Sequence, residues 1–276
     1  MDKLIIAGLV KNAEKTFSLE YQKLNKLFED DFEIHWIIVE SESTDSTINV
    51  LKEIKNQNNC FDYLTFGSHQ YKELSRTEKF SFLRNQYVEY IKKSNVNFDY
   101  VVISDFDRVN KKLTKKGIQS CWQTNYEWDA CFANQNGPYY DIYALRHNLL
   151  SPHDFSEEFN FKLKVTKDRN WSEQSSLFSK MLKINQESDW IEVDSAFGGF
   201  GIYRKRAFLS SSYKGKDDSD KRVCEHVTFH KNMVDQGFKL FINPRLINAN
   251  YVDHSFRYLK IYRKFHYFKN KFLSFN

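Results

Sequence analysis

Two aspartates stand one residue apart directly after an apolar run in the first half of the chain. The run covers residues 100–104, and Asp105 and Asp107 follow it in the segment ISDFDRVN. Alternate residues of a tight turn can direct their side chains to one place, and hard divalent cations prefer oxygen ligands and retain substrate phosphates as further ligands. We therefore expect a Mn²⁺ or Mg²⁺ site that stabilises a departing diphosphate; the alternative is a solvated aspartate turn.

A second acidic segment, IIVESESTDST, follows the apolar run at residues 36–39. Glu40 closes that run, and its carboxylate can accept hydrogen bonds from a base or a ribose, as acidic residues do in the crevices of α/β sheets. Asp45 can reach the nucleotide or can hold the turn as a helix cap. The segment predicts a nucleoside-binding turn, with helix capping as the structural alternative.

Two arginines lie in the segment RTEKFSFLRNQYV, which has the apolar periodicity of a helix over residues 78–92. Arg76 and Arg84 are candidates for binding a diphosphate or a base, because the planar guanidinium matches phosphate oxygens. For either arginine, a surface ion pair is the competing interpretation.

A glycine pair, Gly198 and Gly199, stands in the segment DSAFGGFGIYRKRAF. Glycine permits a close approach of the backbone to a ligand, or a turn with positive φ. We interpret residues 193–203 as a strand, a turn and a strand, so a plain hairpin turn is the alternative to a ligand-binding role.

An acidic residue, Glu225, begins a predicted helix over residues 225–237 that Gly237 ends. A carboxylate there can act as a general base if it reaches the hydroxyl that loses its proton. It can also simply complement the helix dipole. His226 and His230 share a face of this helix, but two histidines without a third ligand indicate structural roles rather than zinc.

Strands and helices alternate through the first half of the chain. Apolar runs predict strands at residues 4–10, 36–39, 63–66 and 100–104, with helices at about 13–28, after the turn at 40–47, and at 78–92. Such alternation predicts a mostly parallel sheet flanked by helices, which binds ligands beyond the carboxyl ends of its strands. The second half is less regular. There we expect strands at 129–134 and from 238 onward, a helix at about 172–185, and a charged loop at 214–221.

Composition indicates a globular protein. Hydrophobic residues make up 41% of the 276 residues and charged residues 28%, and the net charge is +5. The excess of positive charge is too small to predict a nucleic-acid partner. Four cysteines without a CxxC pair favour a reduced, cytoplasmic compartment. No apolar stretch is long enough to span a bilayer, and the start of the chain does not have the length of a signal-peptide core.

The last residues, 256–276, form a basic aromatic tail, FRYLKIYRKFHYFKNKFLSFN. Cations that interleave with aromatic and aliphatic residues are typical of an amphipathic helix on an anionic membrane surface. We therefore expect peripheral contact with the inner face of the membrane. A terminal helix packed on the domain and an RNA-attracting tail are the alternatives.

The ordered set LIIAGLVKNAE, IIVESESTDST, LRNQYV and ISDFD resembles GT-A glycosyltransferases of the family-2 layout. The Glu-Ser-x-Ser-Thr-Asp-x-Thr form and the segments YYDIYALR and CEHVTF are more similar to the fungal capsule-associated α-1,3-mannosyltransferase family. The resemblance spans residues 4–237. It implies a Rossmann-like GT-A domain over residues 1–255, with a nucleotide-binding half at 1–110 and a donor-sugar and acceptor half at 111–255.

The resemblance also implies roles for individual residues. Ala7 and Val10 line the base, Glu40 holds the nucleoside, and Asp105 contacts ribose or metal-bound water. Asp107 ligates the metal, and His254 is a further ligand. The glycines at 198 and 199 border the donor sugar, and the acid at 225 is the base if the reaction inverts configuration. If the reaction retains configuration, as the capsule-family resemblance implies, this acid holds the donor sugar or the acceptor instead.

The function that follows is metal-dependent transfer of a sugar from a UDP- or GDP-linked donor to a hydroxyl of a surface glycan or lipid-linked acceptor. Two alternatives remain. A sugar-phosphate nucleotidylyltransferase shares the α/β layout, but it would carry a glycine- and arginine-rich loop after the first strand, and AGLVKNAEK has one glycine. A catalytically degenerate GT-A domain that binds glycans would be expected to lack the acidic pair.

Overall fold

The computed structural model describes residues 1–94 and 96–256. Eight strands form one sheet in the spatial order β3-β2-β1-β4-β7-β5-β8-β6, with helices on its faces. The strands are β1 Asp2–Val10, β2 Phe32–Ser41, β3 Phe61–Phe66, β4 Tyr100–Ser104, β5 Ala130–Gln135, β6 Ile191–Glu192, β7 Phe200–Arg204 and β8 Leu240–Ala249. The helices are α1 Phe17–Phe28, α2 Thr47–Gln57, α3 Arg76–Lys93, α4 Lys115–Gln119, α5 Phe155–Thr166, α6 Arg169–Ser176, α7 Lys205–Leu209, α8 Glu225–Val234 and α9 Asp253–Phe256, with 3-10 turns at Ser68–Gln70 and Phe178–Lys180.

The first four strands are parallel, as the alternation of strands and helices predicted. β1 pairs with β2 and β4, and β2 pairs with β3. The second half is mixed: β7 runs antiparallel to both β4 and β5, β5 is parallel to β8, and β6 is antiparallel to β8. The predicted α/β fold with a mostly parallel central sheet is therefore confirmed, and the carboxyl ends of β1, β2 and β4 lie at one edge.

Both faces of the sheet are buried, which explains why the strands are continuous apolar runs. Along β1, Ile5 and Ala7 belong to one hydrophobic cluster and Leu4, Ile6 and Val10 to the other. Helix α3 covers the first face, and α1 and α2 cover the second. Buried helix residues on the first face are Leu83, Tyr87, Val88 and Ile91, and those on the second are Phe17, Leu24, Phe28, Leu51 and Ile54.

Two predictions for the second half are wrong. Residues 193–203 do not form a hairpin, because β6 and β7 pair with different strands. Instead of a helix over 172–185, α6 ends at Ser176, and a further helix, α5, precedes it. Helix α5 has no buried residue, and its apolar residues Phe155, Phe159 and Leu163, spaced every four residues, stand among polar residues that obscured the pattern. Lys167, between the two helices, has a left-handed φ of 57°.

The end of α8 agrees with the prediction, because Gly237 follows it with a φ of +84°. The predicted tail at 256–276 lies outside the described residues from 257 onward, so its membrane role stays a prediction, as do the domain boundaries. No helix within residues 1–94 and 96–256 has both the length and the apolar character to cross a bilayer.

Candidate active site

The aspartate pair is held at the carboxyl end of β4 by the residue between its members. Phe106 is buried and packs against Phe17, with 5.2 Å between ring centroids. It lies over Gly8 of β1, where an added Cβ would stand 2.5 Å from the Phe106 ring. Because Phe106 points into the core, Asp105 and Asp107 point away from it, and Asp107 is exposed.

The glycine pair holds the backbone of the same turn. Asp105 N donates a hydrogen bond to Gly199 O at 3.0 Å. Asn110 Nδ2 donates to Gly199 O at 3.0 Å and to Asp105 O at 2.9 Å. Gly198 and Gly199 have φ of +66° and +86°, a region that favours glycine. The predicted turn with positive φ is therefore present, and it joins the loop before β7 to the aspartate turn, whereas the approach to a ligand stays a prediction.

A buried arginine lies beside this turn. Arg84, on α3, donates from Nε to Glu225 Oε1 at 3.1 Å and from Nη2 to Asp105 Oδ1 at 3.4 Å. Its guanidinium also stacks near the rings of Phe197 and Tyr213. Three residues that the sequence analysis selected separately therefore meet in one cluster, which brings the amino end of α8 to the aspartate turn.

A further carboxylate in this cluster, Asp141, was not selected from the sequence. It accepts hydrogen bonds from Gly198 N at 2.9 Å and from Ala144 N at 3.3 Å. Burial is the main cause that raises the pKa of Asp141, and Glu225 adds to it. Asp141 lies in the segment YYDIYALR, which shows neither an apolar run nor a repeated acid, so only the fold reveals its place.

The neighbouring acids raise the cost of ionising Asp105. Burial raises the pKa of Asp105 to about 7; Arg84 acts in the opposite direction, and the nearby Asp107, Asp141 and Glu225 reinforce the rise. A cation placed here would relieve this repulsion. The site therefore has the charge to attract a metal ion or the positive end of a ligand.

The donor set fits a metal only if further ligands complete it. Among residues 1–94 and 96–256, no group of three or more His, Cys, Asp or Glu side chains could hold a metal. Asp107 is exposed, and one of its oxygens accepts from Val109 N at 3.2 Å. The predicted third ligand, His254, stacks on Tyr140 with 5.9 Å between the rings. Two carboxylates with substrate phosphates are a usual set for Mg²⁺.

Glu40 lies at the end of β2, where its Cα is paired with that of Val10 on β1. Its Oε1 accepts a hydrogen bond from Ser43 N at 2.7 Å, whereas Oε2 is buried without a partner among the described residues. The side chain is 1% exposed. Buried carboxylate oxygens normally have hydrogen-bond partners, so Oε2 is available to a donor on a ligand.

Four other residues that the sequence analysis selected make contacts with loops, with a ring or with the core. Asp45 accepts from Thr47 N and from Glu14 N, which ties two loops together. Arg76 is exposed at the start of α3, with its guanidinium 5.6 Å from the Phe80 ring. Ala7 and Val10 are buried in opposite core clusters. Of these two, only Val10 is at the end of its strand.

The two histidines of α8 lie in the core. His230 bonds through Nδ1 to Ser195 Oγ and through Nε2 to Tyr203 Oη, both at 2.9 Å. His226 stacks on Phe197 with 3.9 Å between the rings. Burial lowers the pKa of His230 to about 3, so it is neutral at physiological pH. His230 therefore has two hydrogen-bond partners in the core, whereas both ring nitrogens of His226 are buried without a partner among the described residues, and the structural role of the two histidines stays a prediction.

No protein-family model matches the chain, and no curated protein is significantly similar to it. Similar solved structures include TarS 1–349 from S. aureus in complex with UDP-GlcNAc, at 12% identity and a TM-score of 0.48, covering 91% of this chain and 59% of that one. Another is the mannosyltransferase PcManGT from Pyrobaculum calidifontis in complex with GDP-Man and Mn²⁺, at 11% identity and a TM-score of 0.46, covering 90% of this chain and 56% of that one.

A third is glucosyl-3-phosphoglycerate synthase from Mycobacterium tuberculosis in complex with Mn²⁺, UDP and phosphoglyceric acid. It is 12% identical, with a TM-score of 0.42, and the match covers 90% of this chain and 67% of that one. The chain thus spans between 56% and 67% of the length of these three structures. At such identities the similarity concerns the path of the backbone and assigns no residue a role.

Proposed function

We propose that this chain is a metal-dependent glycosyltransferase of the GT-A type, which moves a sugar from a nucleotide-diphosphate donor to a hydroxyl group. The observation that carries the proposal is the free, buried Oε2 of Glu40 at the end of β2, at the same sheet edge as the Asp105 and Asp107 turn at the end of β4. A nucleoside held by Glu40 directs its diphosphate along that edge toward the aspartates.

In this proposal Asp107, assisted by Asp105, would hold Mn²⁺ or Mg²⁺, and the donor diphosphate would supply further oxygens. His254, which stacks on Tyr140 and is not grouped with the two aspartates among the described residues, would have to move to join them. The bound cation supplies Lewis-acid stabilisation of the leaving diphosphate. Arg84 shares its charge between Asp105 and Glu225, which orients both carboxylates toward the reacting sugar.

Glu225 is the proposed base for an inverting reaction. Its Oε1 is engaged by Arg84, while the partner of Oε2 is the weak Cys224 thiol at 3.9 Å, so Oε2 can accept the proton of an acceptor hydroxyl. In a retaining reaction, which the capsule-family resemblance implies, Glu225 instead holds the donor sugar or the acceptor.

The remaining parts of the proposal concern partners and location. We propose a UDP- or GDP-linked donor and a surface-glycan or lipid-linked acceptor, with the basic tail at 256–276 contacting the inner face of the membrane. Sugar-phosphate nucleotidylyltransfer is disfavoured because the loop after β1, KNAEKT, contains no glycine to wrap a triphosphate. A catalytically degenerate binding module is disfavoured by the retained acidic pair.

The test is a donor screen with the full chain. UDP-GlcNAc, UDP-glucose, GDP-mannose and a CMP-sugar are each added with Mn²⁺ or with EDTA, and nucleotide release and thermal unfolding are measured. We expect one donor to stabilise the protein and to be hydrolysed only with metal. Glu40→Gln should weaken binding of the nucleotide, and Asp107→Asn should abolish the metal-dependent stabilisation and hydrolysis.

The surface variant Asp235→Asn is the matched control, because Asp235 lies at the far end of α8 and pairs with Lys231. It should behave as the unmodified protein. No response to any donor would indicate the binding-module alternative. Formation of a nucleotide sugar and pyrophosphate from a nucleoside triphosphate and a sugar 1-phosphate would indicate the nucleotidylyltransferase instead.

A further inference from the structure

A cavity opens on the face of the sheet that α1 covers, between α1 and the turn after β4. Its volume is about 300 Å³. Helix α1 packs in the cluster opposite to that of α3, so this α1 pocket lies across the sheet from Arg84. The pocket shares Asp105 and Asn110 with the candidate active site. The pocket is lined by Lys15, Thr16, Leu19, Glu20, Lys23, Leu24, Ser104, Asp105, Arg108, Asn110 and Lys111.

The charges of the α1 pocket favour an anion. Four cationic side chains line it against two carboxylates. Lys23 is already engaged, because its Nζ donates to Asn110 O at 2.9 Å and to Lys111 O at 2.6 Å. Lys15, Arg108 and Lys111 form no ion pair within the part of the chain that the structure describes. Three cations that are free to bind, above the first turn of a twelve-residue helix, suit a phosphate group.

Glu20 adds a second requirement to the ligand. Both of its carboxylate oxygens are hidden from solvent and lack a well-formed hydrogen bond among the described residues, although the backbone N–H of Arg108 lies near enough to favour the charged form. Buried polar atoms without a full hydrogen bond are rare, because each is destabilising unless water or a ligand satisfies it. A hydroxyl group is a suitable partner, because it can donate to a carboxylate or accept from a carboxyl.

We propose that the α1 pocket binds a phosphorylated sugar or polyol, with its phosphate on Arg108, Lys111 and Lys15 and a hydroxyl on Glu20. The pocket meets the proposed donor site at Asp105, whereas Glu40 and Arg84 take no part in lining it. It places a phosphorylated compound beside Asp105, as an acceptor or as an effector of the candidate active site. The proposal stands whether or not the donor reaction proposed above is correct.

The test is calorimetric titration of the full chain with glucose 6-phosphate, inorganic phosphate and glucose, each with and without saturating UDP and GDP. We expect glucose 6-phosphate to bind at least 10-fold more tightly than inorganic phosphate or glucose, with an affinity that the nucleotides leave unchanged. Arg108→Gln combined with Lys111→Gln should weaken it at least 10-fold. Glu20→Gln should abolish the preference over inorganic phosphate while preserving binding of phosphate itself.

Lys116→Gln is the control, because Lys116 is exposed nearby without lining the pocket. It should leave the affinity unchanged, and circular dichroism should show that all variants are folded. Displacement of glucose 6-phosphate by UDP or GDP would overturn the proposal, since the cations would then belong to the donor site. Equal binding of glucose 6-phosphate to the control and to the double variant, or absence of binding to the unmodified chain, would overturn it as well.

Discussion

Arg84 Nε donates a hydrogen bond to Glu225 Oε1 at 3.1 Å, and both side chains are buried. The two residues are 141 positions apart in the sequence, on α3 and at the start of α8. The ion pair therefore joins the proposed nucleotide-binding half of the chain to the proposed acceptor half. It also counters part of the negative charge that Asp105, Asp141 and Glu225 bring together.

Replacing Arg84 by methionine should be strongly destabilising, because it leaves buried carboxylates without their cation. Breaking a buried ion pair by removing one partner costs about 3–5 kcal/mol, whereas removing both is less costly. We therefore expect the double variant Arg84→Met with Glu225→Gln to unfold at a higher urea concentration than Arg84→Met alone. Unfolding of the two variants at the same urea concentration would show that there is no coupling energy between Arg84 and Glu225.

Replacing Gly199 by alanine should disturb the aspartate turn through Gly199 O, which accepts from Asp105 N. The added Cβ would lie 2.6 Å from Val109 Cγ1 in a backbone with φ of +86°. The matched control is Gly237→Ala, where φ is +84° and no atom of the described residues lies within 4 Å of the added Cβ. We expect the control to cost about 1–2 kcal/mol from φ alone, and Gly199→Ala to cost more and to lose nucleotide-dependent metal binding. Equal costs in thermal unfolding would contradict the steric argument.

The stability of the protein should fall with rising pH because of Glu20. Burial is the main cause that raises the pKa of Glu20 to about 7 from the ordinary 4.5. Below pH 4.5 the group is protonated in both the folded and the unfolded state, and above pH 7 the folded state bears the full cost of the charge. Since Glu20 is only partly buried, we expect Glu20→Gln to be more stable by about 1–2 kcal/mol at pH 8 and by much less at pH 5.

Urea denaturation at the two pH values, without phosphorylated ligands, measures this difference. Glu29→Gln, an exposed change just beyond the end of the same helix, is the control and should show the same stability difference at both pH values. A gain from Glu20→Gln that is equal at pH 5 and pH 8 would mean that ionisation of this carboxyl is not the cause.

Metal binding should depend on the nucleotide. Two carboxylates without a third protein ligand in the described cluster leave most of the coordination sphere to water or phosphate. We expect Mn²⁺ alone to bind in the millimolar range, and UDP or GDP to tighten it by 10-fold or more. Electron paramagnetic resonance of free Mn²⁺ gives both affinities. Micromolar binding of Mn²⁺ to the protein alone would contradict this expectation.

Local sequence patterns were sufficient for the first half of the fold. Strands that are buried on both faces must be apolar along their whole length, so β1, β2 and β4 could be located before the structure was known. The parallel pairing then brought Glu40 and the aspartate turn to one edge. In the second half, the pairing of β7 escaped prediction because its partners β4 and β5 come from distant parts of the chain. Helix α5 packs on α6, which follows it directly, and was missed because none of its residues is buried.

The sequence by itself therefore determined the α/β architecture, the acidic turns and the glycine pair, since each depends on residues close together in the chain. Only the tertiary structure decided which of these residues meet. It placed Arg84 between Asp105 and Glu225, and it added Asp141, which accepts a hydrogen bond from Gly198 N. It also engaged both carboxylate oxygens of Asp45 in hydrogen bonds from the backbone of Glu14 and Thr47. Such contacts depend on how the sheet and its loops bring together residues that are far apart in the chain. No local sequence pattern shows which of these residues will be in contact.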